Sequence, residues 1–341
     1  MTAGPDPAQE RIRRWDEWLQ QRVETAVDPA LHVVDAHHHL WDRGGHTYLA
    51  PQYLADLAHG HQVLAAVYVE CLAGYREQGP EPLRPVGETE TVLALTAGQS
   101  ETRGPRLCAG IVARADLALG AAVGEVLDAH FAAGGGRFRG IRYATAWDAD
   151  PGVHGAYPTH AGMLRETAVH AGARQLVQRG LSLDVWLYFH QLDEVLELAH
   201  ACPDLPIVIN HCGGPIGAGP YADQRDTVRQ RWHDAIQKFR RLDQISVKFG
   251  GLAMPIAGFG WRALDVPPSS DQLVSAWRPY FETCLDVFGA GRCMFESNFP
   301  VDRSGCSFTV LWNAFKKLSA SLSEAERATL CSGTASRVYR L

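Results

Sequence analysis

Behind a polar opening stretch, the chain alternates short, continuously apolar runs with longer amphipathic segments. Eight runs stand out: Leu31–Ala36, Leu64–Glu70, Leu107–Ala113, Phe138–Tyr143, Leu181–Phe189, Pro206–Asn210, Ile245–Phe249 and Cys293–Glu296. Most lack the in-and-out alternation of a half-exposed strand, which is the pattern of parallel strands covered on both faces. Between them, Glu88–Gly98, Gly124–Ala133, Gly162–Arg179, Leu192–Cys202, Thr227–Arg241 and Asp271–Phe288 read as helices. Eight βα units in succession predict an α/β fold, a (β/α)8 TIM barrel, whose functional groups gather at the C-terminal strand ends. The rival, a doubly wound sheet, usually opens with a glycine-rich turn after its first strand; here histidines stand in that place.

Residues Asp6 to Thr25 predict an amphipathic helix with Ile12, Trp15, Trp18 and Leu19 as its apolar stripe, and Ser323–Leu341 a closing helix. The expected organisation is therefore a helical extension over residues 1–30 and a barrel over residues 31–341. Three Gly- and Pro-rich insertions, Ala73–Gly87, Thr145–His160 and Met254–Ser270, follow the second, fourth and seventh strands, so all three are expected over the site face.

Composition narrows the partners. With 32 basic and 38 acidic residues the net charge is -6, and no basic run offers a nucleic-acid surface. No stretch reads as a membrane span or a signal peptide, so the expected location is cytoplasmic. The eight cysteines form no C-x-x-C pair and read as mostly buried thiols. A small-molecule substrate is the expected partner, and the N-terminal helix offers a surface for a homo-oligomer.

The first strand ends abruptly in chemistry: Val33-Val34-Asp35-Ala36-His37-His38-His39-Leu40-Trp41. Alternation puts His37 and His39 on one side and His38 on the other, so the pair can grip a metal or polarise a carbonyl. Further ionisable groups fall at other strand ends: Glu70 and Cys71, Arg139 and Arg142, Tyr188 and His190, His211 and Cys212, Lys248, then Glu296, Asn298 and Asp302. Only one of Arg139 and Arg142 is expected to reach the pocket. Lys248 is expected to pair with Asp35 or Asp184, and Cys71 to be a buried thiol. His32, His46, His59, His61, His130, His170, His200 and His233, in loops or on helices, are expected to be solvated.

The D-A-H-H-H-L-W start, R-G-I-R at 139–142, I-N-H-C-G-G-P at 209–215 and E-S-N-F-P at 296–300 resemble the amidohydrolase superfamily. Within it they are similar to the amidohydrolase-related (amidohydrolase 2) branch that includes sugar-acid lactonases and pyrone-dicarboxylate lactonase. The likeness runs from about Leu31 to the C-terminal tail, and it implies a distorted (β/α)8 barrel. Carried over by position, it makes His37 and His39 the metal pair, or substrate binders in metal-free members. It makes His211 the residue that holds the substrate or polarises its carbonyl, and Arg142 a reader of a substrate carboxylate.

One departure matters. Where the family usually presents an aspartate as general base, this chain has Asn298, a neutral amide that takes no proton from water. Asp302, Glu296 and Glu70 are the replacement candidates, with Glu70 preferred. Glu70 would equally complete a three-ligand zinc site with His37 and His39. His190 is either a metal ligand or a loop residue, and Tyr188 lines the pocket. The expected function is hydrolysis of a small carboxylated lactone, with one divalent ion, zinc or manganese, or with no metal. The alternatives are a decarboxylase or hydratase of an unsaturated acid on the same barrel, and a barrel that only binds its ligand.

Overall fold

A computed structural model describes residues 7–98 and 104–341, and eight parallel strands form its one large sheet. In sheet order they are β1 (Val33–His38), β2 (Val63–Val69), β3 (Arg106–Ala113), β4 (Phe138–Ala144), β5 (Ser182–Trp186), β6 (Ile207–Ile209), β7 (Ile245–Phe249) and β8 (Cys293–Phe295). Helices intervene between successive strands, and the sheet curls into the expected (β/α)8 barrel. A two-stranded hairpin, Trp41–Arg43 with His46–Tyr48, follows β1 and was not expected.

The barrel's distortion lies at its seam. Seven neighbouring pairs are joined by ladders, whereas β1 and β8 meet through the turn that follows β8. The Asn298 amide donates to His37 O at 2.8 Å, and the His39 amide to Phe299 O at 2.8 Å. Buried Asp35 fastens the same turn, accepting from the Ser297 amide at 2.7 Å. Closing the seam thus carries Asn298 to the first strand's histidines.

Val34 and Ala36 belong to the barrel interior, with Val67, Val69, Val112, Val208 and Met294. Strict alternation from them would send His38 inward. A register irregularity between Asp35 and His38 reverses the phase. His38 instead stacks on Tyr53 at 4.4 Å in the outer core, and His37 and His39 turn into the barrel mouth. The other end of the barrel is plugged by the C-terminus, whose Ala335 and Tyr339 join the interior cluster. That terminus is the expected closing helix, running without a break from Glu324 to Tyr339 with a π-helical turn (Thr329–Gly333) inside it.

Two boundaries differ from expectation. The fifth strand stops at Trp186 instead of Phe189, because Gln191 Oε1 takes the Tyr188 and Trp147 amides at 3.2 and 2.9 Å and turns the chain. The N-terminal helix α1 (Pro7–Leu19) ends before Thr25, and Asp6 lies outside the described residues. Two histidines expected in solvent are buried. His130 is held between Thr89 and Arg114 O, and His61 against Thr309 O; each faces the core from its element. All eight cysteines are buried and unpaired. Among the described residues no helix is long and apolar enough to cross a membrane.

Candidate active site

The strand ends bring His37, His39, His211, Glu296, Asn298 and Asp302 together, all buried. Glu296 sits at the centre. Its Oε1 accepts from the His211 amide at 3.1 Å and from His211 Nδ1 at 2.7 Å, while Oε2 lies 2.8 Å from His37 Nδ1. This last pair is close but poorly aligned, so both atoms lack a hydrogen-bond partner. His39 Nδ1 donates to Val69 O at 2.8 Å, which leaves Nε2 as its basic nitrogen. That nitrogen lies 3.2 Å from His37 Nε2 and 3.2 Å from Asn298 Oδ1. The His37 and His211 rings are 4.8 Å apart, and Trp186 packs edge-on against His211 at 4.8 Å.

Burial sets the electrostatics. It pushes His37 and His39 well below the ordinary histidine value, with Lys248 adding to the effect at His37 and Arg142 at His39. It pushes Asp302 well above the ordinary carboxyl value, and neighbouring Glu296 adds to that rise. His211 and Asn298 adopt left-handed backbone, with φ of 51° and 52°, a conformation that costs a non-glycine residue roughly 1 kcal/mol or more. Gly251 makes room for the first of them, since a Cβ there would stand 2.5 Å from His211 Cβ.

The donor chemistry fits a divalent cation. His37 Nε2, His39 Nε2 and Asn298 Oδ1 face one another with no proton to share if both Nδ1 atoms are protonated. His37, His211 and Glu296 also present ligand atoms within 4.8 Å of one another. Each imidazole has an acceptor near Nδ1, the arrangement that orients metal-binding histidines.

Other expected residues lie elsewhere. Glu70 does not join the histidines: its Oε1 takes Arg142 Nε at 2.7 Å, an ion pair formed across the intervening third strand. Arg142 is further occupied by Glu70 O and the Tyr157 hydroxyl, so both members of the pair are engaged with each other. Tyr188 donates its hydroxyl to Val153 O, and His190 Nε2 donates to Trp147 O at 3.0 Å. Both fasten the loop after β4. Arg139 reaches Gly136 O and Phe138 O, and Lys248 pairs with Asp184 at 2.7 Å. Burial, with Glu88 beside it, pushes the Cys71 thiol well up.

Two residues were missed. Trp186 walls a cavity of about 10 Å³ beside His211, water-sized in this closed arrangement. Arg114, just past the end of β3, has a buried guanidinium nitrogen without a partner and lies 5.1 Å from the Tyr157 ring. Its place after the third apolar run was the signal that could have found it.

The barrel and its strand-end histidines define the class, an amidohydrolase-type enzyme. The chain belongs to the amidohydrolase family, which it matches over residues 34–341. It is similar to an uncharacterised protein of Sinorhizobium fredii, 30% identical over 332 residues that cover 91% of this chain and 98% of that one. It is also similar to an L-fucono-1,5-lactonase of Burkholderia multivorans, 26% identical over 323 residues, 90% of this chain and 96% of the lactonase. An amidohydrolase of Burkholderia multivorans solved with bound zinc superposes with a TM-score of 0.68 at 23% identity, covering 91% of this chain and 99% of that one.

Proposed function

We propose that this chain opens a small lactone that carries a carboxylate elsewhere on the molecule. The observation that carries the reading is the trio His37, His39 and His211, each with Nδ1 beside an acceptor and Nε2 left as the basic nitrogen. The similarity to an L-fucono-1,5-lactonase supports the substrate class.

His37 and His39, with Asn298 or Glu296, would hold a zinc or manganese ion. Bound there, such an ion supplies Lewis-acid polarisation of the carbonyl and lowers the pKa of its water to about 7. His211 takes a proton from the water that adds to the lactone carbonyl. Glu296 Oε1, bonded to His211 Nδ1, keeps that ring oriented and stabilises the imidazolium. The same ring returns the proton to the ring oxygen as the C–O bond breaks, which releases the hydroxy acid. Glu70 is tied to Arg142, and burial with neighbouring Glu296 pushes Asp302 well above the ordinary carboxyl value, so neither is assigned as the base. With Arg142 occupied, Arg114, whose buried Nη1 has no partner, would read the substrate carboxylate.

The test is elemental analysis of the purified protein, with turnover of a lactone panel before and after chelation and metal restoration. The expected result is zinc- or manganese-dependent opening of a carboxylated lactone, reduced roughly 10³-fold by His211→Asn. A protein that opens no lactone with either metal, or a His211→Asn variant at full rate, overturns the reading.

A further inference from the structure

A second cleft lies on the same face of the barrel, outside the histidine cluster. Four segments build it: Arg11, Ile12 and Trp15 from α1, His46 from the hairpin, Arg262 from the loop after β7, and Pro300, Arg303 and Ser304 after β8. Its volume is about 400 Å³, enough for a small organic molecule. Although the chain carries a net charge of -6, no carboxylate lines the cleft.

The cations there are not equivalent. Arg303 is committed to Asp16 and Asp56. Arg11 and Arg262 have no ion-pair partner among the described residues, and the Arg262 guanidinium lies over the Trp15 ring at 4.3 Å. His46 Nδ1 accepts from Trp41 Nε1 at 3.3 Å, which leaves its Nε2–H as a further donor. The Ser304 hydroxyl is buried without a partner. Every polar group left over is therefore able to donate, and two of them are permanently charged.

The walls are fixed. Trp15 donates to Arg303 O at 3.0 Å, Trp18 to Leu264 O at 2.9 Å and Arg22 to Pro267 O at 3.0 Å, so α1 and the segment after it are strapped across the loops after β7 and β8. The cleft also adjoins the catalytic layer. His46 packs on Trp41 at 5.6 Å, and Trp41 stacks over His39 at 6.0 Å.

We propose that this cleft binds the carboxylate or phosphate headgroup of a small organic anion, with Arg11 and Arg262 as its charged clamps. Guanidinium groups without a carboxylate partner, fixed beside neutral donors, suit a planar or tetrahedral oxyanion.

Calorimetric titration with inorganic phosphate and with benzoate, at fixed ionic strength, tests it. At least one probe should bind saturably, and Arg11→Glu should weaken that binding by about tenfold or more. Arg11 is exposed, so its replacement leaves the fold intact, and Arg262→Gln provides a second variant with the same expected direction. Arg13→Glu, on the same helix but already facing Glu10 and Glu17, should leave binding unchanged. Kinetics then separates the sources. A KM that rises in Arg11→Glu only for a carboxylated lactone makes the headgroup the substrate's own, read here instead of at Arg114, whereas unchanged KM values with phosphate binding lost make it a separate effector's. No saturable binding of either probe, or binding that survives Arg11→Glu and Arg262→Gln but vanishes in His211→Asn, overturns the proposal.

Discussion

Two neighbouring layers inside the barrel bury ionisable groups and settle them in opposite ways. In the inner layer Lys248 stands 2.7 Å from Asp184, which also accepts from Tyr339 at 2.9 Å and Asn210 at 2.9 Å. One cation meets one anion, and Tyr339 and Asn210 donate to the same carboxylate, although Lys248 Nζ and Asn210 Oδ1 make no aligned hydrogen bond of their own. In the outer layer Glu296 stands between His37 and His211, and burial keeps His37 and His39 from bringing any positive charge. His37 Nδ1, Glu296 Oε2 and Asp302 Oδ2 are left without hydrogen bonds. A buried group without a partner costs roughly 1–3 kcal/mol, and both layers retain some. The contrast lies in charge: the inner layer sets a cation against its anion, whereas the outer one sets two carboxyl groups beside His37 and His39, which burial keeps neutral. The inner layer is an ion pair; the outer one is a set of donor atoms that fits the cation site proposed above.

Substitutions that act on one layer only are the way to break this contrast. The largest effect is expected from Glu296→Gln, which leaves one amide oxygen for His211 but puts a neutral NH2 donor where a carboxylate oxygen faces His37. Lactone turnover should fall about 10³-fold while urea unfolding changes little, because no cation loses a partner. A loss below about tenfold would mean that Glu296 does not organise the site. Lys248→Met should do the reverse. It strands Asp184 in the barrel and should cost about 3–5 kcal/mol in urea unfolding, with much of that recovered by adding Asp184→Asn. An unaltered midpoint would show that the inner pair holds nothing together.

What the sequence made legible follows the same division. The eight strands were readable because burial on both faces leaves continuous apolar runs, and an apolar strand that stops at three histidines announces its own chemistry. Partners that come from different strands were not readable. Glu70 looked free at the end of β2, yet Arg142 reaches it across β3, and no spacing along the chain encodes that meeting. The bulge that turns His37 and His39 inward is equally silent, since alternation counted from Val34 and Ala36 points to His38. Arg114 escaped notice because it stands one residue beyond the last apolar position of its run. His61 and His130 were misjudged because a histidine's fate depends on what its element packs against, not on the element's own pattern.

His130 sharpens the contrast in a third way, as a buried histidine with both nitrogens paired. Nε2 donates to Arg114 O at 2.9 Å and Nδ1 takes the Thr89 hydroxyl at 2.9 Å, so the neutral ring is fully bonded, unlike His37 with its partnerless Nδ1. Burial depresses its value to about 4 from an ordinary 6.5. The folded protein therefore refuses a proton that the unfolded chain accepts between those values. Stability from this group is complete above about 6.5 and is lost as the pH falls toward 4, a total of about 3 kcal/mol. His130→Gln can keep both hydrogen bonds through its amide but cannot titrate. Urea unfolding across this range should give a shallower acid limb for the variant, by up to about 1.4 kcal/mol per pH unit, the slope of one proton. An identical slope in both proteins would mean that His130 is protonated in the fold, and that its bonds do not close the site as the geometry indicates.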